Sequence, residues 1–340
     1  AGKPKVLFLA NGSGAYDVCE LARRVPIEVH GFPTLTWFRL GEWYWLWMWL
    51  EQSTGSERAA MLERLLDDRF DAIVLANFRL ASLNETCQYK ILRQVADGTG
   101  LVMFYKHDFD PRLLQGTVAD APAQIVNGVP FAGLEFYRNW FMPSRDILTP
   151  DRIAPALLQT HTFGQGRVAI VDYNEQSSIF AAAPGAIAPT MEYDYTAEVQ
   201  YDYHMALAGR CLLWAARREP RLRWVSRFPD GMEIEALAKP QPVRVQAAWS
   251  SEHGEQLRSG LTRWLRVRNL WGEILEDRED VIIPDGDRLQ WDLALPAMPA
   301  GRHFVDCIIS SRQGVENWGS FAVRVRSSLA IQSIQPSKGF

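Results

Sequence analysis

The sequence lacks every short signature that would declare a chemistry outright. Its four cysteines, Cys19, Cys87, Cys211 and Cys307, form no CxxC pair, and its six histidines form no HExxH or other paired spacing. Both absences argue against a structural zinc site, and they leave buried free thiols as the plain reading. There is no long run of Lys or Arg, and the net charge is −4 with a pI near 5.9, so the electrostatic footprint of a nucleic-acid binder is missing. Long apolar runs are missing too. The unbroken stretch Trp43–Leu50 is closed by Glu42 and Glu51, far short of the roughly 20 residues that a helix needs to cross a bilayer. No apolar leader opens the chain, which begins Ala1-Gly2-Lys3-Pro4 without a methionine. That start fits a trimmed chain and a processed exported one equally well, so the compartment stays open, with an exported or periplasmic place favoured over the cytoplasm.

What is present is ample material for packed cores. Of 340 residues, 47% are hydrophobic, and at about 150 residues per domain the length predicts about two domains. The first 110 residues alternate short apolar runs with amphipathic stretches. Lys5–Ala10, Pro26–His30, Asp71–Ala76 and Leu101–Tyr105 read as strands, and Tyr16–Arg24, Ser56–Asp68 and Leu83–Asp97 as helices. A βαβα order of this kind predicts a parallel sheet with helices on both faces. Residues 121–165 are irregular and rich in Pro and Gly. Then Gln159–Phe163 and Arg167–Asp172, joined by Gly164-Gln165-Gly166, read as a hairpin. Val199, Tyr203, Ala206, Leu207, Leu213 and Trp214 return at helical spacing, and Pro220 ends that helix. Beyond residue 230 the pattern changes to seven short alternating segments, from Met232–Ala238 to Trp318–Val325, with Gly, Pro and Asp between them. These predict a β-sandwich.

Four segments together resemble class I glutamine amidotransferase-like domains: KVLFLANGSG, QYKILRQVADGTGLVMF, THTFGQGRVAIVDYN and YDYHMALAGRCLLWAARREP. The likeness is to the non-amidotransferase branch found beside β-sandwiches in large bacterial proteins, and to the trimerisation domain of multidomain β-galactosidases. It covers about residues 3–220 and is most specific in the FGQGRV hairpin and the closing helix. Residues 230–326 look like the fibronectin- or immunoglobulin-like domain that follows in such proteins, a likeness of fold only. The resemblance implies an α/β, flavodoxin-like doubly wound parallel sheet over residues 1–222, an all-β sandwich over 223–328, and a tail or the start of a further segment over 329–340.

The family's amide chemistry needs a cysteine on a sharp strand-to-helix turn and a histidine activated by a carboxylate on a later loop. Where the cysteine belongs, this sequence reads Lys106-His107-Asp108-Phe109, and where His-x-Glu belongs it reads Asp172-Tyr173-Asn174-Glu175. Cys19 and Cys87 fall inside predicted helices. The resemblance therefore implies a pseudoenzyme that has lost nucleophile and base, and it calls for no cofactor. Ligands of an open parallel sheet bind outside the carboxyl ends of its strands, which here carry Asn11, Gly12, Ser13 and Gly14, then Asn77, Phe78 and Arg79, then Lys106, His107 and Asp108, with Asp172, Tyr173 and Asn174 near them. Asn11, Ser13, Asn77, Arg79, Tyr173 and Asn174 are thus candidate binding residues. Lys106, His107 and Asp108 offer a cation, an imidazole and a carboxylate to a divergent hydrolase of carbohydrate or amide bonds. Asn11-Gly12-Ser13-Gly14 lacks the continuation of a nucleotide loop and reads as a tight turn. The acids Glu192, Asp194, Glu198 and Asp202 single out no pair for glycoside hydrolysis, and a helix start favours acids in any case. The expected function is a non-catalytic binding or assembly module of a bacterial cell-surface or polysaccharide-handling protein, with divergent hydrolysis as the alternative.

EWYWLWMWLEQ, residues 42–52, places Trp43, Trp45, Trp47 and Trp49 at every second position. An extended chain would carry all four indoles on one face. Three uses compete: an interface with the sandwich or another subunit, a platform for sugar rings, or ordinary core. The segment lies in a connection outside the region where the sheet's core is built, and four indoles make a larger apolar patch than monomers commonly expose, which favours the interface with a protein partner or a second copy. Trp45→Ala combined with Trp47→Ala is then expected to lower the melting temperature or dissociate an oligomer, because a truncated interface indole costs about 3–5 kcal/mol where its pocket cannot collapse. Light scattering and a thermal melt check this. Unchanged mass and stability together with lost retention on polysaccharide gels would overturn it.

Overall fold

In a computed structural model of the chain, residues 3–10, 15–33, 55–76, 80–104, 114–127, 158–171, 187, 197–226, 228–229, 232–236, 242–249, 261–269, 271–282, 288–312 and 314–327 are described. The chain divides into two compact units, one built chiefly from residues up to Pro220 and the other from Arg221 onward.

The first unit is built on a seven-stranded sheet of β1 (Lys5–Ala10), β2 (Glu28–Pro33), β3 (Ala72–Ala76), β4 (Gly100–Phe104), β5 (Gly116–Thr117), β6 (Leu158–Phe163) and β7 (Gly166–Val171), in the order β2-β1-β3-β4-β7-β6-β5. The strands from β2 to β7 in that order run parallel, then β6 turns back on β7 and β5 lies antiparallel to β6. The five residues of β3 and of β4 are all buried, as the unbroken apolar runs of a sheet covered on both faces require. Alternation sorts their side chains. Leu7, Leu9, Ile73, Leu75, Leu101, Met103, Val168 and Ile170 share a core with Leu62, Cys87, Ile91 and Val95, residues of or beside helices α2 (Gly55–Leu65) and α3 (Glu85–Ala96). The opposite row faces α5 (Ala197–Ala215): Phe104 meets His204 edge-on, and the Arg167 guanidinium lies 5.2 Å from the Trp214 ring. Helix α1 (Ala15–Arg24) packs beside α5. The fold is doubly wound.

Punctuation explains the element ends. Asn84 caps α3, its side-chain oxygen accepting from the Cys87 N–H at 2.8 Å, and Gly98, at φ +113°, lets the chain leave the helix. The glycines of the FGQGRV hairpin have a tertiary reason as well as a local one. Gly164 sits at φ +58°, and a Cβ there would fall 2.6 Å from the Ala96 carbonyl oxygen, while a Cβ on Gly166 would collide with the Val95 carbonyl and fall 2.6 Å from that of Thr99. The hairpin is seated on the end of α3 as closely as backbone allows, held by Gln165 N–H to Ala96 O at 2.8 Å.

The second unit is a sandwich of two sheets. One contains β13 (Arg288–Ala294), β10 (Pro242–Trp249) and β8 (Leu222–Trp224). The other runs β12 (Ile274–Ile282), β11 (Leu261–Asn269), β14 (Gly301–Ser311), β15 (Gly314–Arg326), β9 (Met232–Glu235). Pairing is mostly antiparallel, with β9 parallel to β15. Trp224, Val245, Ala247, Leu289 and Leu293 of the smaller sheet share one core with Leu261, Leu265, Val267, Cys307, Phe321 and Val323 of the larger. Phe228 fills its middle, edge-on to Trp224 and stacked on Phe321 at 5.5 Å.

Among the described residues four elements have no counterpart in the sequence reading: β5, β8, α4 (Ala121–Ile125) and a single 3-10 turn at Leu80–Ser82. The two strands are two and three residues long, too short to display a period. Helix α4 carries a proline at its start, where the missing N–H costs nothing, so the proline that reads as a loop marker is a helix start. The close seat of the hairpin yields a test. Gly166→Ala is expected to lose at least about 2 kcal/mol of stability in chemical denaturation. Gly31→Ala, on β2 with open space around its Cβ position, should change stability by less than about 1 kcal/mol.

Candidate functional site

The crevice of this parallel sheet lies beyond Ala10, Ala76, Phe104 and Val171, the carboxyl ends of β1, β3, β4 and β7. The residues that the sequence nominates there, Asn11, Ser13, Asn77, Arg79, Lys106, His107, Asp108, Tyr173 and Asn174, lie outside the described residues, and so do Glu192, Asp194 and the ladder of Trp43, Trp45, Trp47 and Trp49. The described groups at this end of the sheet come from the first turn of α1 and the first half of α5.

They form a buried polar cluster around one residue, Ile187. Asp17 of α1 accepts from the Ile187 N–H at 2.8 Å through Oδ2 and from the Tyr201 hydroxyl at 2.9 Å through Oδ1. His204 Nε2 lies 3.0 Å from the Ile187 carbonyl oxygen. A carbonyl can only accept, so Nε2 carries the hydrogen. The two side chains thus hold both backbone polar groups of Ile187, a residue belonging to the connection from β7 to α5. Asp17 and His204 are both buried, and the rings of Tyr16 and Tyr201 lie 6.2 Å apart beside them.

Burial decides the protonation states. It pushes the His204 imidazole down to about 4, against the opposing pull of its bond to Ile187, so the ring is neutral at pH 7. It pushes the Tyr201 phenol up, and the Asp17 carboxylate beside it pushes the same way, so the hydroxyl keeps its proton and donates. An imidazole so far below neutrality and shut from solvent is poorly matched to proton transfer at pH 7, since a general base works best with a pKa near the working pH. The arrangement holds backbone in place.

The same helix carries two further buried polar residues. Asp202 Oδ1 pairs with Arg24 Nη1 of α1 at 2.6 Å. In the sequence Asp202 reads as one more acid near a helix start. Its burial and its arginine make it an interhelical lock instead. Arg210 donates from Nη1 to the carbonyls of Ile125 and Asn127, at 3.2 and 3.0 Å, and so closes the end of α4. Burial lowers this guanidinium to about 9, which leaves it charged at neutral pH. Burial likewise raises the neighbouring Cys211 thiol to about 12, so it stays a thiol. All four cysteines are free, and three are buried. Cys19 is exposed, contrary to the expectation of buried thiols, because α1 turns Asp17, Val18 and Leu21 inward. Among the described residues no group of three or more His, Cys, Asp or Glu gathers as a metal site, and no helix is long and apolar enough to cross a membrane.

Asp17 is the residue that sequence reasoning missed. A carboxylate in the first turn of a helix reads as a partner of the helix dipole. The available signal was its position, one and four residues from Val18 and Leu21, on the stripe that α1 buries.

The cluster predicts a pH dependence. His204 has a folded value of about 4 against an ordinary 6.5, so between those values the unfolded chain binds a proton that the folded protein does not. Stability is therefore lost as pH falls from 6.5 toward 4, by up to about 3 kcal/mol at about 1.4 kcal/mol per pH unit. Compared with His204→Gln in urea titrations, wild type should be more stable at pH 7, with the gap closing toward pH 4.5. A gap that stays constant over that range would show that the imidazole is not held neutral.

No family model and no curated protein matches the sequence. Solved structures are similar in part, three of them as follows. A Paenibacillus sp. cycloisomaltooligosaccharide glucanotransferase complexed with cycloisomaltoheptaose matches at TM-score 0.19 and 18% identity, over 32% of this chain and 14% of that one. Fusolin spindles of a Wiseana spp. entomopoxvirus match at 0.22 and 8%, over 43% of this chain and 77% of that one. A mutant of CfaE, the CFA/I adhesin of enterotoxigenic E. coli, matches at 0.17 and 12%, over 33% and 49%. The chain thus spans only a small part of the glucanotransferase and about half of the adhesin. This is weak similarity to a carbohydrate-active enzyme and to an adhesin, and at such scores it assigns neither a family nor an activity to this chain.

Proposed function

We propose that the chain is a non-catalytic binding or assembly module of bacterial cell-surface or polysaccharide-handling machinery. The observation that carries this reading is the use made of polar groups at the carboxyl ends of the strands. Asp17 and His204, the carboxylate and imidazole described there, hold the two backbone groups of Ile187, and Asp17 also accepts from the Tyr201 hydroxyl. A buried carboxylate and a buried neutral imidazole that each hold backbone serve as framework. The loss of the amidotransferase cysteine and of His-x-Glu, at Lys106-His107-Asp108 and Asp172-Tyr173-Asn174-Glu175, supports the same reading. The polysaccharide setting comes from the sequence resemblance alone.

Incubation of the protein with glutamine, and separately with neutral polysaccharides, tests the proposal. No glutamate and no reducing sugar should appear above a buffer control. Turnover that disappears in His107→Ala or Asp108→Ala would replace the module with the divergent hydrolase.

A further inference from the structure

The end strands of a sheet leave outward backbone groups open to another strand, and proteins protect such edges by shortness or by charge. Here β5 and β8 are two and three residues long. β9 presents Glu233 and Glu235, β13 carries Arg288 and Asp292, and β12 carries an unbroken charged run from Glu276 to Asp280. β2 has neither protection. It is six residues long, reads EVHGFP, and has its one carboxylate, Glu28, at the first position. Among the described strands none lies beyond it. Val29 is 36% exposed, and a Cβ on Gly31 would meet nothing within 4 Å.

One hydrogen bond fixes which groups face outward. The Glu28 N–H donates to Pro4 O at 2.9 Å, and the parallel register of Lys5 with Glu28, Leu7 with His30 and Leu9 with Phe32 turns the N–H and C=O of Glu28, His30 and Phe32 toward β1. Those of Val29 and Gly31 therefore point away from the sheet. The Ile27 carbonyl does so too, because it shares a trans peptide with the Glu28 N–H and points the opposite way. The Ile27 N–H is already taken by Val25 O at 2.8 Å.

These groups complement a second copy of themselves. About a two-fold axis at Val29, two copies of β2 lie antiparallel with Val29 opposite Val29, where paired residues exchange both N–H···O bonds. Each Gly31 N–H then meets the outward Ile27 carbonyl of the other copy. The same register sets Glu28 opposite His30 in the closer, non-hydrogen-bonded pairs, so a carboxylate faces an imidazole on both sides of the axis. Neighbouring registers lose this match. An axis at His30 sets imidazole against imidazole and Glu28 against Phe32, and an axis at Gly31 sets Pro33, which has no N–H, against Val29. The flank of the edge is apolar as well. Phe32 packs into the core that α2 and α3 cover, and α2, which follows β2, touches α3 through Ala59 and Glu63. Met61 lies two residues from each, hence on the opposite flank of α2, and is 61% exposed. We propose that β2 is the interface of a homodimer, pairing with β2 of a second copy about Val29 so that one sheet runs through both. The contact is isologous and closes on itself, so it adds no third copy. One short strand with its flanks makes an interface at the small end of the range, and association is weak and concentration-dependent.

Light scattering of the full chain from about 1 μM to about 1 mM tests the pairing. The mass should rise from 38.6 kDa toward twice that value and no further. Val29→Lys, which sets two cations at the axis, should weaken association at least about tenfold and leave the melting temperature of dilute protein unchanged. His30→Glu should weaken it too, by setting carboxylate against carboxylate, and adding Glu28→His should restore it, because the exchange recreates the cross-axis pairs. Oxidation reads the register, in a Cys19→Ser background because Cys19 is exposed. Val29→Cys should form a disulfide-linked dimer, since residues paired at the axis lie about 5.5 Å apart at Cα. Gly31→Cys, displaced along the strand from its counterpart, should not. A wild type that stays at the mass of one chain, a Val29→Lys protein that associates like wild type, or cross-linking of Gly31→Cys in preference to Val29→Cys would each overturn the proposal. Association kept by Val29→Lys and lost by Trp45→Ala with Trp47→Ala would place the contact at the ladder instead. The pairing does not rest on the binding-module reading: turnover of glutamine or polysaccharide would refute the module and leave the dimer, and a monomeric wild type would refute the dimer alone.

Discussion

Helix α5 is buried continuously from Asp202 to its end at Ala215, so every polar side chain on that stretch must find a partner inside the protein. Burying an unpaired carboxylate or guanidinium costs several kcal/mol, and even a neutral polar group costs about 1–3 kcal/mol. Each such residue consequently fastens a different segment. Asp202 takes Arg24 and ties α1. His204 takes the Ile187 carbonyl and ties the connection that precedes α5. Arg210 takes two carbonyls and ties α4. Close backbone contact completes the seat at the far end, where a Cβ on Gly100 would clash with Ala215. The helix acts as the post to which the irregular parts of the first unit are tied.

This ordering separates what was legible in the sequence from what was not. Strands buried on both faces read as apolar runs, and helices with one buried stripe read at their period, so β1, β3, β4, β7, α1 and α3 stand in the sequence with nearly their observed bounds. The FGQGRV hairpin was legible through its glycines, although the reason for them is tertiary, the close seat on Ala96, Val95 and Thr99. The polar partners were not legible. Asp202 reads as one more acid near a helix start, but the residue that engages its neighbour Tyr201, Asp17, is 184 positions away, and nothing local distinguishes a carboxylate that serves a helix dipole from one that anchors backbone. A short strand such as β8 gains its identity only from pairing with β10, which no window of three residues can announce.

The second unit solves its polar problem differently. Its five-stranded sheet is wider than the three-stranded sheet packed on it, so the inward row runs out of apolar cover before it reaches β12. Hydrophobic side chains there would sit exposed; charged ones can pair and remain hydrated. Asp280 illustrates the result, its carboxyl held below the ordinary range chiefly by the hydrogen bond from Arg263. Toward the middle of the sheet, carboxylates recur with closer partners: Asp306 is gripped through both oxygens by Arg268 and bonded by Ser320, and Glu316 by Arg221 and Ser311.

Against that pattern Trp271 stands apart. Elsewhere among the described side chains of this unit aromatic rings are enclosed, as Trp224, Phe228 and Phe321 are in the core, or covered by a cation, as Phe304 is by Arg268. Alternation cannot explain the exception, because the residue lies in a turn, and core packing does not reach it. A polar residue would satisfy the turn equally well, since Trp271 joins it only through its backbone N–H and the other bonds come from Asn269, Gly272 and Glu273. The indole is therefore a ring that the turn does not require, and its 80% exposure is of the kind that folded surfaces carry everywhere, because there is too little polar surface to cover a globule.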